Sequence, residues 1–200
     1  FCQNGDISTD KDNGEETDPR TLAAMAWTLR REGCHNINWV GGEVVIHLHA
    51  IVDAIALLGR DFSPTQSELT RARRTKADRF FWFEEAPGDA VYDGKFNAPM
   101  LWNSNFFITL ESMKILRIHT DVWLPDFKFG PDRCAMTLAK TPWYWETVTR
   151  NITLLDDWGE DFSIRHLVMP NHVECCTYPV LYWIAEHLPA VPVNVIAHFH

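Results

Sequence analysis

Apolar residues recur along this 200-residue chain in two alternating rhythms. Leu22, Met25, Ala26 and Leu29 repeat at helical spacing, and Asp18-Pro19 supplies an N-cap and a first-turn proline ahead of them. Gly33 stops that helix. The stretch 33–43 follows, with Ile37, Trp39 and Val40 as a short buried strand closing on Gly41-Gly42-Glu43. Leu48, Ile51, Val52 and Ile55 mark a helix over 47–59, and 99–105 reads as a strand ending in Asn103-Ser104-Asn105. Leu110, Met113 and Leu116 mark the next helix, and 122–128 the next strand. A helix over about 142–157 carries Tyr144, Val148, Ile152 and Leu155; a strand follows at 162–169, then a helix with Val180, Leu181, Ile184 and Leu188, and a last strand at 193–196.

Strand followed by helix, repeated, implies an α/β fold with a parallel sheet and right-handed crossovers. The expectation is one domain over 1–200, built as an open or incomplete (β/α) barrel, with an insertion at about 60–96 where the rhythm is lost. Its strands, near 36–41, 99–104, 121–127, 162–169 and 192–197, should form one sheet. Such folds bind ligands beyond the carboxyl ends of their strands. Glu43, Asn103, Ser104, Asp126, Lys128, Arg165 and Asn171 all fall at or near those ends, so they are the candidates for a shared site. Paired glycines before Glu43 let a backbone approach a ligand without Cβ interference.

Composition narrows the function classes. Hydrophobic residues at 46% describe a globular chain, and nine tryptophans imply wide apolar contacts or a cavity wall. A formal charge of −9 argues against nucleic-acid phosphates or an acidic membrane as partners. No apolar run approaches a membrane span, and no basic-then-apolar leader pattern opens the chain. Five cysteines, with Cys175 and Cys176 adjacent, make a poor disulfide framework and fit reduced thiols in a cytoplasmic protein.

Five ordered stretches carry a family resemblance. Phe1-Cys2-Gln3-Asn4 resembles the end of the Cys-x-x-x-Cys-x-aromatic-Cys loop of radical S-adenosylmethionine (SAM) enzymes, above all the pyruvate formate-lyase activating enzymes and their uncharacterised relatives. Gly41-Gly42-Glu43 resembles their Gly-Gly-Glu-Pro motif. The stretch 123–128, Trp-Leu-Pro-Asp-Phe-Lys, resembles their Asp-x-Lys strand; 164–170 and 193–200 resemble the two strands after it. The resemblance implies a partial (β/α)6 barrel lacking its first strand, a [4Fe–4S] cluster and SAM. It further implies reductive cleavage of SAM to a 5′-deoxyadenosyl radical that abstracts hydrogen. Cys2 would be the cluster ligand, Phe1 would pack near the adenine, and Gly41, Gly42 and Glu43 would hold the SAM amino group. Asn103, Ser104 and Asp126 match positions near the SAM carboxylate and a monovalent cation. Lys128 and Arg165 would meet carboxylate or ribose oxygens, and His200 would contact SAM. Cys2, Glu43, Asp126 and Lys128 are the residues assigned to the chemistry. The implied partners are an electron donor such as flavodoxin or ferredoxin and, as substrate, a glycyl-radical protein.

The sequence departs from that pattern in three places. The first two cysteines of the loop are absent; with no initiator Met, this implies a longer parent protein with cysteines three and seven residues before Cys2. Val44 stands where the family has Pro, and Asn103 where it has an acid. Two other readings compete. His47, His49, His172, His198 and His200 suggest a zinc hydrolase, although His47-Leu-His49 opens a helix, where residues two apart diverge. A non-catalytic binding module that has lost its cluster loop is the other. Cys34, Cys134, Cys175 and Cys176 could hold a second cluster or zinc, but their spacing matches no standard set, and they read as buried or free thiols.

Overall fold

The computed structural model describes residues 14–59, 65–67, 96–131 and 133–197. Phe1, Cys2 and His200 lie outside them, as does nearly all of the expected 60–96 insertion. The chain falls into two compact units, one built from 14–38 and 46–100, the other containing 39–45 and 101–200.

In the first unit, helix α1 (Pro19–Arg31) starts as the sequence dictates. Asp18 Oδ1 accepts the Thr21 N–H at 3.0 Å and Oδ2 accepts the Thr21 hydroxyl at 2.9 Å. At the other end Gly33 takes φ +100°, and the amides of Gly33 and Cys34 bond back to the carbonyls of Arg30 and Leu29. That pair of bonds is a Schellman stop, which needs a left-handed residue. The buried face differs from expectation. Leu22, Met25 and Leu29 are only half covered, while Ala23, Ala24 and Ala26 are buried. Small side chains let α1 approach α2 (Leu48–Leu58) closely. Arg30 is buried too, its guanidinium tied to Asn97 Oδ1 at 2.6 Å and the Cys34 carbonyl at 2.9 Å.

Five strands are described: β1 (Ile37–Trp39), β2 (Met100–Ser104), β3 (Val122–Pro125), β4 (Ile164–Leu167) and β5 (Val193–Ile196). The expected single sheet is instead two hydrogen-bonded sheets, ordered β1-β2-β3 and β4-β5. Pairs β2/β3 and β4/β5 are parallel. Between β3 and β4 the ladder reduces to two isolated parallel bridges, Trp123 to Phe162 and Asp126 to Arg165. The strands are shorter than the apolar runs predict, although flanking amides such as those of Asp126, Ser163 and Val168 still bond to the neighbouring strand.

The second unit is a parallel α/β arrangement. Helices α3 (Leu110–Arg117), α4 (Cys134–Ala139), α5 (Tyr144–Trp158) and α6 (Tyr178–His187) connect its strands. Helix α5 buries Tyr144, Val148, Asn151, Ile152 and Leu155, one helical face with an amide set among apolar positions. Trp102, Trp123, Phe106 and Phe127 are fully buried. Phe127 meets Trp145 at 5.1 Å and Trp183 at 5.7 Å between ring centroids. Two elements have no counterpart in the sequence reading: α4, too short for its periodicity to show, and a π-helical turn, Val173–Thr177, leading into α6. No helix among the described residues is long and apolar enough to cross a membrane.

Candidate functional site

The turn after β1 demands its glycines through backbone conformation alone. Gly41 and Gly42 take φ of +111° and +58°, and no heavy atom lies within 4 Å of where a Cβ would stand. The turn delivers Glu43 to the end of β2. There Glu43 Oε2 accepts the Asn105 N–H at 3.0 Å, while Oε1 is buried with no hydrogen-bond partner among the described residues. Burial pushes the Glu43 carboxyl above the usual range, against the amides of Asn105 and Val45; the negative charge of Asp126 adds to the rise and Lys128 opposes it.

The Asn105 amide is held in place by a strained turn. Phe106, wholly buried, takes φ +61°, a costly conformation for a bulky residue. Ser104 Oγ accepts the Phe106 N–H at 3.1 Å, and Asn105 Oδ1 accepts the Phe107 N–H at 2.8 Å. From α5, the buried Asn151 Nδ2 donates to the carbonyls of Phe106 and Ile108, both at 2.9 Å. Asn103 is buried one residue before Ser104, and strand alternation sets it on the opposite face.

Asp126 stands beside this turn. Its amide donates to the Ser104 carbonyl at 2.9 Å, and it pairs with Arg165 across the bridge to β4. Lys128 Nζ lies 3.0 Å from Asp126 Oδ2, and Arg165 Nη1 lies 3.6 Å from Oδ1. All three side chains are about one-fifth exposed, so the cluster is shielded yet reachable. Two residues that sequence reasoning did not assign to the site fix the 126–128 backbone. The buried Tyr144 hydroxyl donates to the Asp126 carbonyl at 3.1 Å and accepts the Lys128 N–H at 3.0 Å. Burial raises its phenol pKa, so it stays protonated. His166, fully buried, lies 2.7 Å from the Phe127 carbonyl through Nδ1 and 2.9 Å from Thr177 Oγ1 through Nε2. A carbonyl only accepts, so Nδ1 carries the proton and Nε2 accepts from the threonine hydroxyl. Burial lowers the His166 pKa, keeping the ring neutral.

Glu43, Ser104, Asp126, Lys128 and Arg165 are thus gathered at neighbouring strand ends, while Asn171 belongs to the loop after β4, with φ +64°. A second gathering was not foreseen from spacing. Cys134, Cys175 and Cys176 are free thiols, as read, but with His172 they place four ligand atoms within 4.8 Å of one another. Spacing did not show it because Cys134 and the other three residues lie on loops after different strands. His47 and His49, central to the hydrolase reading, join no metal-ligating group among the described residues.

No family model matches the sequence. The chain is 32% identical, over 204 residues covering 100% of its length, to the uncharacterized protein MJ0674 of Methanocaldococcus jannaschii. It spans about half the length of that curated relative, 49%. Among solved structures, a domain of a pyruvate-formate lyase-activating enzyme from Bacteroides vulgatus is similar with a TM-score of 0.48 and 14% identity, over 81% of this chain and 76% of that one.

Proposed function

We propose that this chain belongs to a radical SAM enzyme whose strand-end cluster seats SAM, with its strands forming part of a partial (β/α)6 barrel. The observation that carries the reading is Glu43 Oε1, a buried carboxylate oxygen without a hydrogen-bond partner among the described residues, beside the Asp126, Lys128 and Arg165 group. An orphaned, desolvated acceptor is costly unless a donor arrives, and a ligand ammonium is such a donor. The open space around Gly41 and Gly42 gives it room. Two acids and two bases at the strand ends suit a zwitterion: Glu43 faces its ammonium, and Lys128 and Arg165 face its carboxylate.

A [4Fe–4S] cluster and SAM, when bound, supply reductive sulfonium cleavage and a carbon radical for hydrogen abstraction. This chain's residues bind and orient. By resemblance Cys2 holds the cluster and Phe1 and His200 flank SAM. Ser104 and Asp126 lie near the carboxylate and a monovalent cation, which Asn103, lacking a charge, holds weakly. Asn151 and Tyr144 keep the backbones that present these groups in place. A glycyl-radical protein as substrate and a flavodoxin or ferredoxin as electron donor belong to the same proposal.

Calorimetry of SAM binding tests it. Glu43→Ala and Asp126→Ala each remove a charge-assisted contact worth roughly 1.5–3 kcal/mol, or about 10- to 100-fold in affinity. Unchanged SAM affinity in both variants, with circular dichroism intact, overturns the assignment.

A further inference from the structure

Three thiols and an imidazole, none of them used by the SAM reading, meet where the segment after β3 joins the one after β4. Cys134 opens α4. His172 follows the left-handed Asn171, and Cys175 and Cys176 sit in the π-helical turn before α6. Cys134 Sγ lies 3.4 Å from Cys175 Sγ and 3.5 Å from His172 Nδ1. His172 Nδ1 lies 3.4 Å from Cys175 Sγ, and the two cysteine sulfurs of the turn are 3.9 Å apart.

These separations have a simple meaning. Zinc bonds of about 2.3 Å to sulfur and about 2.0–2.1 Å to nitrogen, at tetrahedral angles, place ligand sulfurs about 3.8 Å apart and sulfur and nitrogen about 3.6 Å apart. Four of the six separations, at 3.4–3.9 Å, lie close to those lengths, and all six lie within 4.8 Å. A disulfide needs about 2.05 Å between sulfurs, so 3.4 Å is not one. A cubane cluster puts each cysteine on a different iron and spreads its ligands around a larger body, whereas these four donors surround a single point. We propose that Cys134, His172, Cys175 and Cys176 hold one zinc ion in a closed four-coordinate site that uses none of the residues assigned to SAM.

The surroundings are built to hold these donors still. The π-helical turn bonds both the Cys176 and Thr177 amides to the His172 carbonyl, at 2.9 and 3.3 Å, and π-turns of this kind gather at functional sites. His172 and Cys175, three apart, share a face of the turn. Thr177 is anchored from below by His166. Gly130 comes so close that a Cβ there would lie 2.0 Å from the Cys175 carbonyl oxygen. Its amide donates to the Cys176 sulfur, an outer contact that orients the ligand. With all four positions filled by protein the ion has no open site for substrate, so its role is structural. It ties the segment after Lys128 to the turn after β4.

The test uses the whole chain carrying Cys2→Ala, so that no amino-terminal cluster contributes iron. Elemental analysis after dialysis should find one zinc per chain. Cobalt replacing it should show thiolate-to-metal charge transfer and the intense d–d bands of a tetrahedral ion. Cys134→Ser and Cys176→Ser should each lower affinity by at least tenfold in competition with a chromogenic chelator, Gly130→Ala should lower it measurably, and Cys34→Ser should leave it unchanged. Substoichiometric zinc, an octahedral cobalt spectrum, iron with acid-labile sulfide, or a Cys134–Cys175 disulfide in protein purified under reductant would each overturn the proposal. If the serine variants fail to fold, the cobalt spectrum of the unsubstituted site decides. SAM affinity is measured in parallel with Cys2 present, so failure of the SAM reading and failure of this one are seen separately.

Discussion

Replacing Tyr144 by Phe removes one oxygen atom and little volume, which isolates the hydroxyl's contribution. That oxygen serves the Asp126 carbonyl and the Lys128 amide, at 3.1 and 3.0 Å. Each bond contributes about 0.5–1.5 kcal/mol net, so the variant should lose about 1–3 kcal/mol. No cavity opens to enlarge the figure, since the ring remains packed against Phe129 at 5.1 Å. Urea unfolding followed by tryptophan fluorescence reads the change, because Trp145 stands against Phe127 beside the phenol. With a slope near 2 kcal/mol/M the midpoint should fall by about 0.5–1.5 M at unchanged slope. SAM affinity should weaken as well, because the same bonds aim Asp126 and Lys128. A midpoint shift below about 0.2 M would show that packing alone fixes this backbone and would refute the positioning role.

Glu43→Gln should stabilise the protein at neutral pH. The Glu43 carboxyl is raised in the folded state, so its stabilising contribution is present below the ordinary carboxylate range and lost as pH rises through the folded value. The gain from Gln should therefore shrink toward zero on acidification, and an advantage independent of pH would contradict the burial argument. His166 has the opposite sign: its pKa is lowered, so its contribution is present above about 6.5 and lost as pH falls. His166→Asn should flatten the stability profile between pH 7 and 5 in thermal melts; an unchanged slope would rule His166 out. Gly42→Ala, at φ +58° with open space around it, should cost about 1–2 kcal/mol through backbone strain alone. A neutral result in chemical denaturation would mean that the turn relaxes.

Local chemistry was the legible part of this chain. Asp18-Pro19 and Gly33 bound α1 because capping is decided within a few residues, and Glu43 follows a glycine pair whose conformation only glycine adopts readily. The strand-end cluster was legible for a similar reason: apolar strands locate their own ends. Asn151, Tyr144 and His166 were not read as positioning residues. Their partners are backbone groups on distant loops, and such bonds leave no spacing in the sequence. Asn151 even sits within a regular apolar face. The Cys134 group escaped because one ligand lies 38 residues before the next. The available hint was His172 three residues ahead of a Cys-Cys pair. Helix α1 shows the reverse case, where periodicity favoured the larger leucines and packing chose the alanines between them.

Ser104 on β2 is level with Pro125 on β3, and Asp126, the next residue, is level with Arg165 on β4. Adjacent strands stand about 4.8 Å apart, a spacing fixed by the peptide hydrogen bond and not by any side chain. The sheet is therefore a ruler for the backbones: one strand step separates the residue bearing the hydroxyl from the one bearing the acid, and one more the residue bearing the guanidinium, about 10 Å in all. Side chains then set the reach, and Asp126 and Arg165 close their step to 3.6 Å between charged ends. Substitution at any of the three positions can change the sign or reach of a mark without moving the scale.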